Sequence, residues 1–265
     1  RILGRLLADH PKHSFRLASK VHPGDGGGLG ASRLAGQLEA SLERLGVESL
    51  ALLYLHQPDP RTPEEETLEA CDRLHRQGKF LALGLSNYPV EAVARIRARC
   101  EASGWVLPTV YQGMYNTLTR AVAEELLPAL RGVSMGFHAY NPLAGGLLTG
   151  KYGSPERLPK DGRFALLDFY RDRYWKAPYF EALAVFREAC RQAGVSPAEA
   201  ALRWLGHHAG LGETPGCAVI VGASRMDHLT ANLSSLAGPP LPDTVVSTLD
   251  RAWELARPAC PAYHR

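Results

Sequence analysis

Residues 50–87 read LALLYLHQPDPRTPEEETLEACDRLHRQGKFLALGLSN, and this one stretch holds a strand, a helix and a second strand. Leu50 to Leu55 is an almost continuous apolar run, the pattern of a strand in a sheet covered on both faces. It ends at His56, before a turn at Gln57-Pro58-Asp59-Pro60. Thr62-Pro63-Glu64-Glu65-Glu66 then starts a helix with a capping residue, a proline in the first turn, and acids facing the positive end of the helix dipole. The helix is expected to stop at Gly78, and Phe80 to Leu85 forms the next strand, ending at Ser86-Asn87. Strand, crossover helix, strand is the building unit of a parallel sheet.

The same alternation runs outward in both directions. Upstream, Phe15 to Ser19 reads as a strand ending at Lys20, and Ser32 caps a helix through Arg44 with Leu34, Leu38, Leu42 and Leu45 on one face. Downstream come a helix over Val90–Ser103, a strand over Thr109–Gln112, a helix over Arg120–Leu130 and a strand over Ser134–Tyr140. A long loop through Tyr152 and Arg163 leads to a helix from about Phe180 to Ala193. Ser196-Pro197-Ala198-Glu199 opens another helix as a capping box. A strand over Ala218–Val221, helices over Arg225–Leu236 and Asp243–Ala256, and a Pro-rich irregular tail complete the chain. The six strands fit an open doubly wound sheet or a (β/α)8 barrel lacking two strands. In either, chemistry belongs at the carboxyl ends of the strands.

Composition narrows the classes. The 265 residues are 45% apolar and 22% charged, which excludes a disordered or collagen-like chain and suits one domain over 1–265. Net charge is +3, with 30 basic and 27 acidic residues well mixed, so neither nucleic acid nor an acidic membrane face is an expected partner. No apolar run reaches the ~18 residues of a membrane span. Cys71, Cys100, Cys190, Cys217 and Cys260 are odd in number and lack a C-x-x-C, so no metal or disulfide framework is expected and the cytoplasm is. The sequon Asn232-Leu233-Ser234 is taken as a chance match. No H-E-x-x-H, Ser-centred elbow or P-loop occurs.

The strand ends carry Lys20, His56, Ser86-Asn87, Gln112, Tyr140-Asn141 and Gly222-Ala223-Ser224. A core has no use for a polar group at each strand end, whereas a catalytic mouth does. Asn141-Pro142-Leu143-Ala144-Gly145-Gly146-Leu147-Leu148-Thr149-Gly150-Lys151-Tyr152 adds close-set glycines, which let backbone amides approach an anion, and a lysine charge. Gly222-Ala223-Ser224-Arg225 leads into a helix whose N-terminus suits a phosphate. Gly24-Asp25-Gly26-Gly27-Gly28-Leu29-Gly30 matches G-x-G-x-x-G/A loosely through Gly26, Gly28 and Ala31. The next strand ends in His56 where a ribose-binding acid belongs, so a flexible loop is the expectation there. Arg95, Arg97 and Arg99 read as a solvated helix face.

Four segments resemble the aldo-keto reductases, and in particular the aflatoxin aldehyde reductase and succinic semialdehyde reductase branch. They are Tyr54-Leu55-His56-Gln57-Pro58-Asp59, Gly84-Leu85-Ser86-Asn87-Tyr88, Val110 to Asn116, and Ala139 to Tyr152. Gly162-Arg163-Phe164, Tyr170-Arg171-Asp172-Arg173 and Cys260 to Arg265 look like the same branch, and the likeness runs from Arg1 to Arg265. The resemblance implies a (β/α)8 barrel that uses NADPH to reduce an aldehyde or ketone through a tetrad of Asp, Tyr, Lys and His. Lys20 and His56 match the tetrad lysine and histidine, with His56 also facing substrate. Ser86, Asn87 and Gln112 match the nicotinamide carboxamide contacts, and Tyr140 the aromatic stacked on that ring. Asn141, Pro142, Leu143, Gly145, Gly146, Leu147 and Lys151 match the pyrophosphate loop, with Arg163 a further cofactor contact. Gly222, Ser224, Arg225, His228 and Asn232 match the positions around the adenosine 2′-phosphate. Tyr170, Arg173 and Arg265 look like substrate-pocket residues suited to a carboxylate or dicarbonyl. No metal is implied, and a homodimer is compatible.

The departure is at the front. The family's Asp and Tyr come from a strand and loop just before the segment that Arg1-Ile2-Leu3-Gly4 resembles, and no Asp-x-x-x-x-Tyr precedes Lys20. The expectation is a barrel without its first two strands and a chain inactive on its own. The alternative is a non-catalytic NADP-binding regulatory subunit on the same scaffold, as the potassium-channel β-subunits that resemble this family suggest.

Overall fold

The structure is a computed structural model that describes residues 2–9, 16–24 and 27–265. Its contacts gather into two units, residues 1–112 with 264–265, and residues 113–263.

In the first unit, α1 (Ile2–Ala8) precedes β1 (Ala18–Val21), α2 (Ala31–Leu45), β2 (Leu50–Leu55), α3 (Glu64–Arg76), β3 (Phe80–Ser86) and α4 (Val90–Ser103). The unit boundary falls inside β4 (Pro108–Met114), after Gln112. The strands pair in parallel and in chain order, β1 to β2, β2 to β3 and β3 to β4. That succession has no reversal of the kind a doubly wound sheet requires, so the barrel expectation is the one it fits. Lys20 is in register with Tyr54, Tyr54 with Gly84, and Ser86 with Gln112. Leu34, Leu38 and Leu42 of α2 are buried, as their spacing requires.

Several boundaries shift. β1 begins at Ala18 and continues past Lys20 to Val21, while Phe15 lies outside the described residues. Helix α2 starts at Ala31, so Ser32 is inside it, and Gly30 holds the cap position with no side-chain cap. Pro63, not Thr62, precedes α3. The Thr62 hydroxyl is taken by the Leu29 N–H at 3.2 Å, beside Asp59 Oδ2 at 2.6 Å. The described ends of the Gly-rich loop are both held: Arg61 also donates to the Gly24 carbonyl at 3.0 Å. Gly28 has φ +67°, and a Cβ there would lie 2.6 Å from Thr62 Oγ1. Its Asp25 and Gly26 lie outside the described residues. On α4, Arg95 pairs with Glu64 and Arg99 with Glu65, but Arg97 turns inward to donate to the Pro108 carbonyl at 2.7 Å, against the expected solvated face.

The second unit contains α5 (Leu126–Gly132), β5 (Gly136–Tyr140), α6 (Arg163–Leu166), α7 (Asp168–Tyr174), α8 (Ala177–Ala193), α9 (Pro197–His207), β6 (Ala218–Val219), α10 (Met226–Leu236) and α11 (Asp243–Ala256). The single helix expected over Arg120–Leu130 is a short 3-10 turn, Ala121–Ala123, followed by α5, with Pro128 inside the latter. β5 and β6 are parallel, and Ile220 N–H still reaches the Ala139 carbonyl at 2.8 Å beyond the two residues of β6. The box before α9 is half formed. Ser196 Oγ accepts from Glu199 N–H at 3.2 Å, while the Glu199 carboxylate accepts from Arg203 at 2.9 Å. Helices α8 and α11 pack together through apolar faces that include Phe186, Leu249 and Trp253.

The five cysteines are free. Cys71, Cys100 and Cys190 are buried, and burial raises each thiol, Cys100 to about 11 and Cys190 to about 12. Among the described residues no group of histidine, cysteine and carboxylate side chains could hold a metal, and no helix is long and apolar enough to cross a membrane.

Candidate active site

Four adjacent strands of the first unit deliver Lys20, His56, Ser86-Asn87 and Gln112 to their carboxyl sides. Lys20, half-buried in β1, holds its ammonium 5.3 Å from the centre of the Tyr54 ring. Burial lowers its pKa from the ordinary lysine value. His56 continues the ladder one residue past β2, its N–H donating to the Val21 carbonyl at 3.0 Å. Its ring meets that of His22 edge-on, with centroids 4.9 Å apart. Burial first, then the charges of His22, Lys20 and Arg265, press the His56 pKa down to about 4. At neutral pH His56 is therefore an uncharged imidazole with one ring N–H to donate.

Asn87 ties these strand ends together. Its φ of +62° is a left-handed conformation that asparagine tolerates better than most residues. From there its amide donates to the His56 carbonyl at 2.8 Å and to Ser86 Oγ at 3.1 Å. Its carbonyl accepts from Arg265 N–H at 3.1 Å, and the Arg265 guanidinium reaches Gln57 Oε1 at 3.3 Å. Gln112, buried in β4, hydrogen-bonds the Tyr54 hydroxyl, yet burial still pushes that phenol up to about 12. Lys20, His56, Ser86, Asn87, Gln112 and Arg265 are thus brought together within one unit.

In the second unit the centre of the expected cluster is Tyr170. Its hydroxyl donates to Asn141 Oδ1 at 3.2 Å, and the Arg163 guanidinium is 5.5 Å from its ring centre. A Cβ on Gly145 would lie 2.6 Å from the same ring. Asn141 has φ +57°, and its amide donates to the Tyr174 hydroxyl at 3.3 Å. Ala144, Gly145 and Gly146 follow at φ +48°, +69° and +109°. A Cβ at Gly146 would meet nothing within 4 Å, so that glycine serves the backbone conformation. Pro142 and Leu147 are buried beneath this turn, Leu143 half-buried, and Tyr140 ends β5 half-buried. Lys151 is exposed, against the Tyr152 ring at 4.8 Å, and Arg173 lies 5.3 Å from the Phe169 ring. At the start of α10, Gly222, Ser224, Arg225 and His228 are exposed and Asn232 is buried. Arg225 grips Asp227 through Nε and Nη2, at 2.9 and 2.7 Å.

Two neighbours of this chemistry escape a strand-end reading. His22 lies two residues past Lys20, just beyond the end of β1, so a reading that stops at the strand end passes over it. Gln37, on α2, clamps the His22 backbone; nothing in its local sequence marks it.

Comparison with known proteins adds a separate line. A model of the "Aldo/keto reductase family" matches residues 1–254. "Aflatoxin B1 aldehyde reductase member 2" of Homo sapiens is 47% identical over 259 residues, covering 94% of this chain and 72% of that protein. "Aldo-keto reductase family 7 member A3" of Homo sapiens is 46% identical, covering 94% and 78%. "Oxidoreductase sirO" of Leptosphaeria maculans is 34% identical, covering 99% and 80%.

Proposed function

Because the chain belongs to the aldo/keto reductase family, oxidoreductases of carbonyl compounds on a (β/α)8 barrel, we propose that it binds NADPH and serves the reduction of aldehydes or ketones to alcohols. Dicarbonyls and carboxylate-bearing aldehydes are the substrate class, for which the first unit offers Arg265 and the second unit offers Tyr170 and Arg173. One barrel domain over residues 1–265, a cytoplasmic location and a homodimer go with this reading. The observation that carries it is the placing of Lys20 and a neutral His56 towards the carboxyl ends of adjacent strands.

Each unit, taken by itself, offers groups that suit part of the cofactor. Ser86, Asn87 and Gln112 are buried neutral hydrogen-bonding groups of the kind a carboxamide needs. Gly146 leaves backbone open to close approach by a pyrophosphate, while the space beside Gly145 is taken by the Tyr170 ring, and Lys151, Arg163 and Arg225 offer positive charge. Arg225 would exchange its exposed bond to Asp227 for a 2′-phosphate, and an exposed pair of that kind costs little to open. When bound, NADPH supplies the hydride that adds to the carbonyl carbon.

The protein's own residues handle the oxygen. His56 donates a hydrogen bond to the carbonyl as charge builds on it, and the Lys20 ammonium favours that charge. Asn87 fixes the His56 backbone and so the point from which the ring extends. A proton must also reach the alkoxide. Tyr54 is the tyrosine whose ring Lys20 meets, but with its phenol pushed up to about 12 it is shifted the wrong way for an acid.

Titration of the chain with NADPH and NADH, followed by cofactor fluorescence, tests the reading. NADPH is expected to bind more tightly, and Arg225→Ala to weaken NADPH by about tenfold while leaving NADH unchanged. Equal binding of both cofactors, indifferent to Arg225, overturns it.

A further inference from the structure

We propose that His22 is a positioning residue for His56, holding the imidazole in one orientation through the contact of the two rings. The rings meet edge to face, with centroids 4.9 Å apart and planes at 80°. His22 is itself held at three points. Its N–H donates to Gln37 Oε1 at 2.8 Å, its carbonyl accepts from Gln37 Nε2 at 2.9 Å, and its Nδ1 accepts from Gly24 N–H at 2.8 Å. Gly24 in turn is gripped through its carbonyl by Arg61 at 3.0 Å.

The Gly24 bond also sets the tautomer. A ring nitrogen that accepts from a backbone N–H carries no proton, so neutral His22 is protonated on Nε2. His56 is fixed through its backbone by the Val21 carbonyl and by Asn87, but those bonds leave its two side-chain torsions free. The packing of His22 against the ring supplies the missing constraint. A hydrogen-bond donor loses strength steeply once its angle is lost, so a held ring is worth more than a rotating one. The charged and titratable groups that act on His56 are Lys20 of β1, His22 of the following loop, and Arg265. Asn87, on the β3 side, is neutral.

This inference rests on the proposed carbonyl chemistry for the use of the orientation, while the orientation itself is read without turnover. NMR of the chain labelled with 15N and 13C in its histidines supplies the measurement. The wild-type chain is expected to show one His56 tautomer and ring-to-ring contacts between His22 and His56. His22→Ala is expected to average the tautomers and raise the His56 midpoint by about half a pH unit or more. Gln37→Leu leaves the ring present but unclamped, and is expected to weaken the ring contacts in a chain that keeps its far-ultraviolet circular dichroism. If His22→Ala does not fold, Gln37→Leu decides alone. An unchanged His56 spectrum in the folded variants, in a chain that binds NADPH, overturns the positioning role and leaves the functional reading intact. A responsive His56 in a chain that does not prefer NADPH does the reverse.

Discussion

At the residue scale, His56 has a proton balance that stability should report. In the unfolded chain it takes up a proton near the ordinary value of about 6.5, whereas in the folded protein it resists until about 4. The unfolded state thus binds more protons between those values, and the contribution of His56 to stability, complete above pH 6.5, is lost as pH falls towards 4. His138 and His208 are lowered as well and act in the same direction, so the difference between wild type and His56→Gln isolates this residue. Urea unfolding at pH 7.5 and 4.5 is expected to show a smaller acid loss in His56→Gln; equal losses contradict the assignment. Lys20 and His56 were legible because a polar residue ending an apolar strand stands out. The left-handed turn at Asn87 was not, since asparagine occurs in many conformations and only tertiary bonding selects this one.

At the element scale, the boundaries of β2 and α4 follow directly from their apolar runs and flanking residues. The start of α3 does not, because the Thr62 hydroxyl has a better partner 33 residues upstream in Leu29. Local capping rules lose whenever a distant backbone N–H competes for the same oxygen. The register carries a further constraint: Tyr54 faces Gly84 across the β2–β3 pair, and a Cβ there would lie 2.5 Å from the tyrosine ring. Gly84→Ala is therefore expected to cost about 1–3 kcal/mol by overpacking. Adding Tyr54→Leu is expected to recover part of that cost, a coupling that a double-mutant cycle in urea measures. Additive costs would show that the contact is not shared.

For the whole molecule, strand-helix alternation made the fold class readable, since apolar strands with amphipathic helices between them admit few architectures. The turn-rich stretch from Tyr152 to Trp175 was less legible: α6 and α7 are short, and their order comes from an aromatic cluster of Tyr152, Phe164, Tyr170 and Trp175 that no local period announces.

The buried thiols bear on the chemical setting in which such a protein works. Thiolates attack electrophilic carbonyl compounds, and with burial pushing its pKa up to about 11 the Cys100 thiol stays almost wholly protonated at neutral pH. Cys71 and Cys190 are shielded in the same way. If the proposed carbonyl chemistry holds, these three positions are spared addition to the substrate carbonyl, a tolerance conferred by packing.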